Sequence, residues 1–265
     1  MTQRQEISFV SDADYQSFSA LEQQPFDFSH TLQKYPLMDI NALYDLARFI
    51  QEKNLPHLIR NDSKQRSGWG VAPEKLTLVE GFGKLKAGNI LIMLKSVQSH
   101  PDYKMFLQRF LEEIGDIRHI DMRKEYRRPI CTIIIASPRR VTPYHVDDSH
   151  NLLMQVRGRK DFYVFDGTDP EIVTAEEREA FWNGDASAAQ LTEAKQTKAT
   201  LHSLAPGIGV HVPFLFPHWA QNGTDVSIAV SVNFQSVSDR ALSVHDFNNF
   251  LRSRGLHPPR RGAAN

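Results

Sequence analysis

The sequence contains a single cysteine, Cys131, among 265 residues. One cysteine cannot form a disulfide within the chain, and Cys131 lies in an apolar run, so we expect a small buried side chain rather than a nucleophile. No apolar secretion signal follows the first residues, and no apolar run reaches the roughly 20 residues of a membrane-spanning helix. We therefore expect a cytoplasmic protein with no membrane partner.

Net charge is also absent, because 31 Lys and Arg residues balance 31 Asp and Glu residues. Without an overall basic field the chain has little attraction for nucleic acid, and we expect no nucleic-acid partner. The exception is the basic stretch 252–261, which is rich in Pro and Gly. We interpret it as a solvated chain end rather than a nucleic-acid arm.

The sequence has no internal repeat, and its pattern changes near residue 129. Apolar residues at helical spacing predict helices over 40–53 and 101–114, the second starting with Pro101 in its first turn. We expect residues 1–125 to form a mainly helical region that packs on the core.

After residue 129, β-branched and apolar segments bounded by Gly, Pro, Asn or Asp predict a series of strands. They lie at 131–136, 152–156, 161–165, 209–214 and 225–234. Residues 156–160 predict a tight hairpin turn, 170–199 a helical insertion, and 238–252 a closing helix. The sequence thus indicates a mainly β fold, a jelly-roll core over 126–237 with added helices, followed by a C-terminal helix and basic tail over 238–265.

Three His-x-Asp motifs occur, at 100–102, 119–121 and 145–147. Two histidines and one carboxylate form the facial triad that binds non-heme iron(II). The first motif lies at a predicted helix start and the second in a charged stretch. In the third, an extended chain would direct His145 and Asp147 to the same face, although two polar loop residues explain this spacing equally well.

A third metal ligand is expected from a later strand. His218 lies between Pro217 and Trp219 after an apolar segment, where it could be a ligand or a packed core residue. His211 and His202 are alternatives.

Residues 142–160 resemble the core of the jumonji C hydroxylases, being similar to the asparaginyl hydroxylases of hypoxia-inducible factor and to bacterial cupin-like relatives. The resemblance extends over 130–235, includes Pro213 five residues before His218, and implies a double-stranded β-helix. It also implies Fe(II) held by His145, Asp147 and His218. A further set of residues would bind the co-substrate 2-oxoglutarate: Thr142 and Lys160 at its distal carboxylate, with Asn151, Asn233 and Tyr144 lining its site.

Two positions depart from the family pattern: Gly207-Ile208-Gly209 replaces the usual Gly-Asp, and Gln235 replaces an aromatic residue. They leave the metal ligands unchanged but alter the expected shape of the pocket. Physical reasoning agrees with the resemblance at Lys160, because a lysine on the inward face of a strand needs an anion. An exposed lysine at a hairpin edge is the alternative. In segment 225–234 small residues alternate with Val and Ile. The side of the strand that carries the small residues could face a ligand cavity, and the alternative is an ordinary polar side that faces solvent.

The resemblance implies an iron(II)- and 2-oxoglutarate-dependent dioxygenase that hydroxylates a peptide or protein side chain and releases succinate and CO2. The alternatives are a hydroxylase of a small metabolite or natural-product precursor, and a non-catalytic cupin that only binds metal. A metal-only cupin has no need of Thr142 and Lys160, so the pair favours the enzyme. A histone demethylase is the weakest candidate, because no histone-reading module or basic groove is visible. The closing helix could form a homodimer or pack on its own barrel.

Overall fold

The computed structural model describes residues 8–61, 76–182, 184–185, 188–237, 251 and 254–256. In these residues the chain forms two antiparallel sheets with helices added, which confirms the predicted mainly β jelly-roll architecture. The strands are β1 (Phe26–Ser29), β2 (His57–Arg60), β3 (Leu91–Leu94), β4 (Tyr126–Ala136), β5 (Val141–His145), β6 (His150–Arg157), β7 (Lys160–Val164), β8 (Thr200–Leu204), β9 (Ile208–Val212), β10 (His218–Asn222) and β11 (Ser227–Ser236).

The large sheet has the order β1-β9-β6-β11-β4-β3-β2, and the small sheet has the order β5-β10-β7-β8. Strands adjacent in sequence often belong to different sheets, so the chain crosses repeatedly between the two layers. The turn 156–160 makes such a crossing: β6 pairs with β9 and β11, whereas β7 pairs with β8 and β10. The predicted hairpin is therefore wrong, because Gly158 (φ +70°) provides a tight turn that connects two sheets.

The segment before residue 126 contains more strand than the sequence pattern indicates. Its strands β1, β2 and β3 belong to the large sheet, where β3 pairs with β4 and β1 pairs with β9. The large sheet therefore combines strands from both sides of the expected boundary at residue 125. The N-terminal segment contributes strands to this sheet in addition to helices that pack on it.

The predicted N-terminal helices are confirmed as α1 (Ile40–Glu52) and α3 (Pro101–Arg118). Leu43, Leu46, Ala47 and Ile50 of α1 are all buried, as their helical spacing indicates. The short helices α2 (Leu78–Lys84) and α4 (Met122–Glu125) lie on either side of α3 in the chain. These helices cover one face of the large sheet, where Cys131, Ile133 and Ile135 of β4 join the same apolar core.

The predicted helical insertion contains the short helices α5 (Ala175–Trp182) and α6 (Glu193–Gln196). An ion pair fixes it, with Nζ of Lys195 2.7 Å from Oε1 of Glu177 and both side chains largely buried. Apart from residue 251, the predicted closing helix lies outside the described residues, and the homodimer it could form stays a prediction. Within the part of the chain described, no helix is long and apolar enough to span a membrane.

Candidate metal and co-substrate site

Three side chains at one end of the small sheet bring potential metal ligands together. His145 is the last residue of β5, His218 is the first residue of β10, and the two residues pair across the sheet. Asp147 follows β5 and lies between them, its Oδ1 3.8 Å from Nε2 of His145 and its Oδ2 3.6 Å from Nε2 of His218. All three ligand atoms lie within 4.8 Å of one another, as a single ion requires.

Backbone carbonyls orient both imidazole rings. Nδ1 of His145 lies 2.7 Å from the carbonyl oxygen of Pro143, and Nδ1 of His218 lies 3.0 Å from that of Phe216. Because a carbonyl only accepts a hydrogen bond, each Nδ1 carries a proton, and each Nε2 faces Asp147. Burial, together with the neighbouring His145, lowers the pKa of His218 to about 4, so this ring is neutral and its Nε2 is unprotonated at physiological pH. The donor set of two imidazoles and one carboxylate fits a facial-triad iron site.

The other two His-x-Asp motifs have structural roles. His100 is the N-cap of α3, and its Nδ1 accepts a hydrogen bond from the backbone N–H of Asp102. His119 ends α3 and Asp121 caps α4. Both motifs therefore serve helix ends, as the sequence context predicts for the first of them.

The two alternative histidines are also occupied elsewhere. Nε2 of His211 accepts a hydrogen bond from the backbone N–H of Glu22, and its Nδ1 faces the carbonyl of Asn151. Nδ1 of His202 lies 2.6 Å from Oδ1 of Asp27. Neither joins His145 and Asp147, which leaves His218 as the third candidate ligand among the described residues.

A β-bulge directs Thr142 into the same cavity as His145. His218 pairs with His145 but Ala220 pairs with Thr142, so two steps along β10 match three along β5. The extra residue falls in the segment holding Pro143, which has no N–H to donate to the ladder. Regular alternation would place residues three apart on opposite faces.

Lys160 is the first residue of β7, only 4% exposed, and lines the same cavity. Burial lowers its pKa to about 8, and no carboxylate in the described part of the chain pairs with its ammonium group. A buried cation of this kind requires a bound anion for full compensation. Lys160 therefore faces inward, as the strand pattern predicts, and is not an exposed lysine at a hairpin edge.

Asn151 of β6 and Asn233 of β11 also line the cavity and are linked through Ser231. The Ser231 hydroxyl lies 3.1 Å from Oδ1 of Asn151 and 2.7 Å from Oδ1 of Asn233, whose Nδ2 donates to the Ser149 hydroxyl. The alternation of β11 identifies Ser231 and Asn233 as neighbours on the cavity side. No sequence pattern singles out Ser149, because it lies in an irregular loop.

The structure does not bring Tyr144 to the cavity. Its ring is buried on the other side of β5, edge-on to Phe165 at 5.1 Å, within a second apolar cluster under the insertion. Burial raises the pKa of its hydroxyl, which makes it a packing residue in this position. The expectation that Tyr144 faces the co-substrate is corrected accordingly.

The cavity has a volume of about 550 Å³ and contains all the candidate ligands except Tyr144. It lies between the two sheets and continues past the metal site over β4, β3 and β2. Its polar residues, including Thr142, Lys160 and Asn151, converge from both sheets, as is typical of a small-molecule site.

Comparison with known proteins agrees with this architecture. The family model described as a cupin-like domain matches residues 90–240. Structures of the ribosomal oxygenase YcfD from Escherichia coli are similar to this chain. The complex with cobalt and 2-oxoglutarate has a TM-score of 0.58, with 17% sequence identity over 98% of this chain. The complex with cobalt and succinic acid has a TM-score of 0.56, with 17% identity over 98% of this chain. This chain spans 63% of the length of those chains. No curated protein matches the sequence.

Proposed function

Because the chain belongs to the family of cupin-like domains, we propose that it is an iron(II)- and 2-oxoglutarate-dependent oxygenase. The observation that carries the proposal is one cavity that holds three convergent ligand atoms and a buried lysine without an anion among the described residues. A cupin that binds only metal would have no reason to keep that lysine inside.

Each candidate residue has a separate task in this proposal. His145, Asp147 and His218 would hold the metal, with the two imidazole rings oriented by the carbonyls of Pro143 and Phe216. Lys160 would bind the distal carboxylate of 2-oxoglutarate by charge, with the Thr142 hydroxyl donating a hydrogen bond. Asn151 and Asn233, held together by Ser231, would line the co-substrate site.

When bound, iron(II) and 2-oxoglutarate supply the oxidising chemistry: oxygen is consumed, the co-substrate is converted to succinate and CO2, and the substrate is hydroxylated. The protein binds and positions these groups and shields them from water. Phe162 and Ala220 are apolar walls of the cavity near the histidines, where they exclude water.

For the substrate, we propose a peptide or protein side chain. Support comes from the likeness to the YcfD structures, which are described as those of a ribosomal oxygenase. The cavity is also lined by the exposed residues Pro56, Lys95 and Ile130, so a segment of a larger molecule can approach it from this side.

The decisive experiment is an anaerobic titration with iron(II) and 2-oxoglutarate that follows the visible charge-transfer band of the chelate. The wild-type protein should develop the band, and Asp147→Ala should lose it. Asp102→Ala is the matched control, because it removes the carboxylate of another His-x-Asp motif, and it should retain the band. Metal binding without a band in the wild type would overturn the oxygenase and favour a metal-binding cupin.

A further inference from the structure

The large sheet has seven strands and the small sheet has four, and the large sheet extends beyond the small one at the end that contains β3 and β2. His202 of β8 bonds to Asp27 of β1, which ties together one edge of each sheet. At the other edge of the small sheet, β5 follows β4 through the short connection 137–140, so that edge lies near β4. Strands β3 and β2 therefore extend past the last strand of the small sheet.

The cavity-side face of this extension is mainly apolar, with Arg60 of β2 and Thr132 of β4 as polar members of the same wall. Leu58 of β2 pairs with Met93 of β3, which pairs with Ile134 of β4, and all three line the cavity. We name this face the shelf and define it by its residues: Pro56, Leu58, Met93, Lys95, Ile130 and Ile134. Ile130 is 38% exposed, so the shelf is open to solvent.

Lys95 is the cation of the shelf and has no ion-pair partner in the part of the chain that the structure describes. Lys95 follows β3, is exposed, and its backbone N–H donates to the carbonyl of Pro56. Among the described residues, no carboxylate forms an ion pair with its ammonium group. The acidic residues of the cavity wall, Asp147 and Asp148, belong to the metal-binding loop instead.

We infer that the shelf binds an extended peptide segment that combines apolar side chains with an acidic one, the acidic group pairing with Lys95. Two inter-strand spacings separate β4 from β2, about 10 Å, which accommodates about three extended residues. Small-molecule sites bury most of their ligand, whereas this open face suits a segment that continues into solvent. The inference rests on the proposed oxygenase function and specifies its substrate.

Three fluorescein-labelled twelve-residue peptides test the inference. They share the same apolar residues and differ only in carrying Glu, Gln or Lys, and fluorescence anisotropy measures their binding with and without cobalt and 2-oxoglutarate. The wild-type protein should bind the Glu peptide about fivefold more tightly than the Gln peptide, as a partly exposed charge pair allows. Lys95→Glu should reverse the order in favour of the Lys peptide.

The control variant is Lys34→Glu, which makes the same charge change at an exposed position after β1, the edge strand opposite β2 in the large sheet, and should keep the wild-type order. Equal affinities in the wild type, or an order unaffected by Lys95→Glu, would overturn the inference. Binding of decanoate but of no peptide, lost in Lys95→Glu, would assign the shelf to a small anion and also overturn it.

A separate calorimetric titration with cobalt and 2-oxoglutarate distinguishes the two proposals. If these do not bind but the Glu peptide does, the oxygenase function fails and the shelf assignment stands. If both bind but the peptides show no charge preference, the shelf assignment fails alone.

Discussion

Thr142 and His145 face the same cavity although they are three positions apart in the strand, because a bulge in the pairing of β5 with β10 reverses the alternation once between them. In the proposed function, the bulge would let one short strand supply both a metal ligand and a hydroxyl for the far end of the co-substrate. Both proposed roles would then depend on the local irregularity around Pro143.

Replacement of Thr142 by Val should separate these two functions. The change keeps the shape of the side chain but removes the hydroxyl, and a hydrogen bond to a charged group contributes about 1.5–3 kcal/mol. We expect the affinity for 2-oxoglutarate to fall at least about tenfold, with metal affinity unchanged. Calorimetry with each ligand measures both, and Thr200→Val, at an exposed position of β8, is the control. Unchanged co-substrate affinity would remove Thr142 from the site.

Lys160→Met should stabilise the ligand-free protein. The pKa of Lys160 falls from 10.5 to about 8 on folding, so burying the charged form destabilises the fold by up to about 3 kcal/mol. This penalty is fully present below pH 8 and disappears as the pH rises towards 10.5, because over that range only the unfolded chain retains the proton. The melting temperature at pH 7 should therefore rise in the variant, while stabilisation by 2-oxoglutarate is lost.

The other buried lysine provides the control for this experiment. Lys195 is paired with Glu177, so Lys195→Met leaves a largely buried carboxylate without its cation and should lower the melting temperature. If Lys160→Met and Lys195→Met lower the melting temperature equally, Lys160 is an ordinary structural lysine.

The affinity for 2-oxoglutarate should depend on pH through the ammonium group of Lys160. Only the protonated ammonium attracts a carboxylate, so the dissociation constant of 2-oxoglutarate should increase about tenfold per pH unit above the free-protein pKa of about 8. Lys160→Arg remains charged at these pH values and should bind with a flat profile, even if more weakly at pH 7. Titrations from pH 7 to about 9.5 with saturating metal compare the two. Parallel profiles would assign the pH dependence to another group.

The sequence predicts long, regular elements well and short ones poorly. Helices α1 and α3 present four or more apolar residues on one face, which is a strong periodic signal. Strands β1, β2 and β3 have four residues each, too few for alternation to stand out, and they lie among helices. The predicted hairpin at 156–160 is wrong for a different reason: turn residues reveal a reversal of the chain, but not which sheet the next strand joins.

The residues of the candidate site are likewise predicted well in some positions and poorly in others. Offsets within the resemblance identify side chains such as Lys160 and Asn151 that the structure places in one cavity. They fail at Tyr144, because an offset does not reveal the bulge that determines which neighbours of His145 face inward. Contacts between distant loops, such as that of Gln235 with the loop after Asp147, have no local sequence signal.

Gln235→Ala should weaken metal binding without unfolding the protein. Nε2 of Gln235 donates to the carbonyl oxygen of Asp148 at 3.1 Å, and the backbone N–H of Leu215 donates to that of Asp147, so two elements hold the ligand-bearing loop. Loss of a contact that orients a ligand typically reduces metal affinity 10- to 100-fold. Because Gln235 supports an irregular loop, we expect cobalt affinity measured by calorimetry to fall about tenfold, with the melting temperature of the metal-free protein nearly unchanged. Gln221→Ala, at an exposed position of β10, should change neither quantity. A matching loss of stability and affinity in Gln235→Ala would mean that the residue supports the fold rather than the loop.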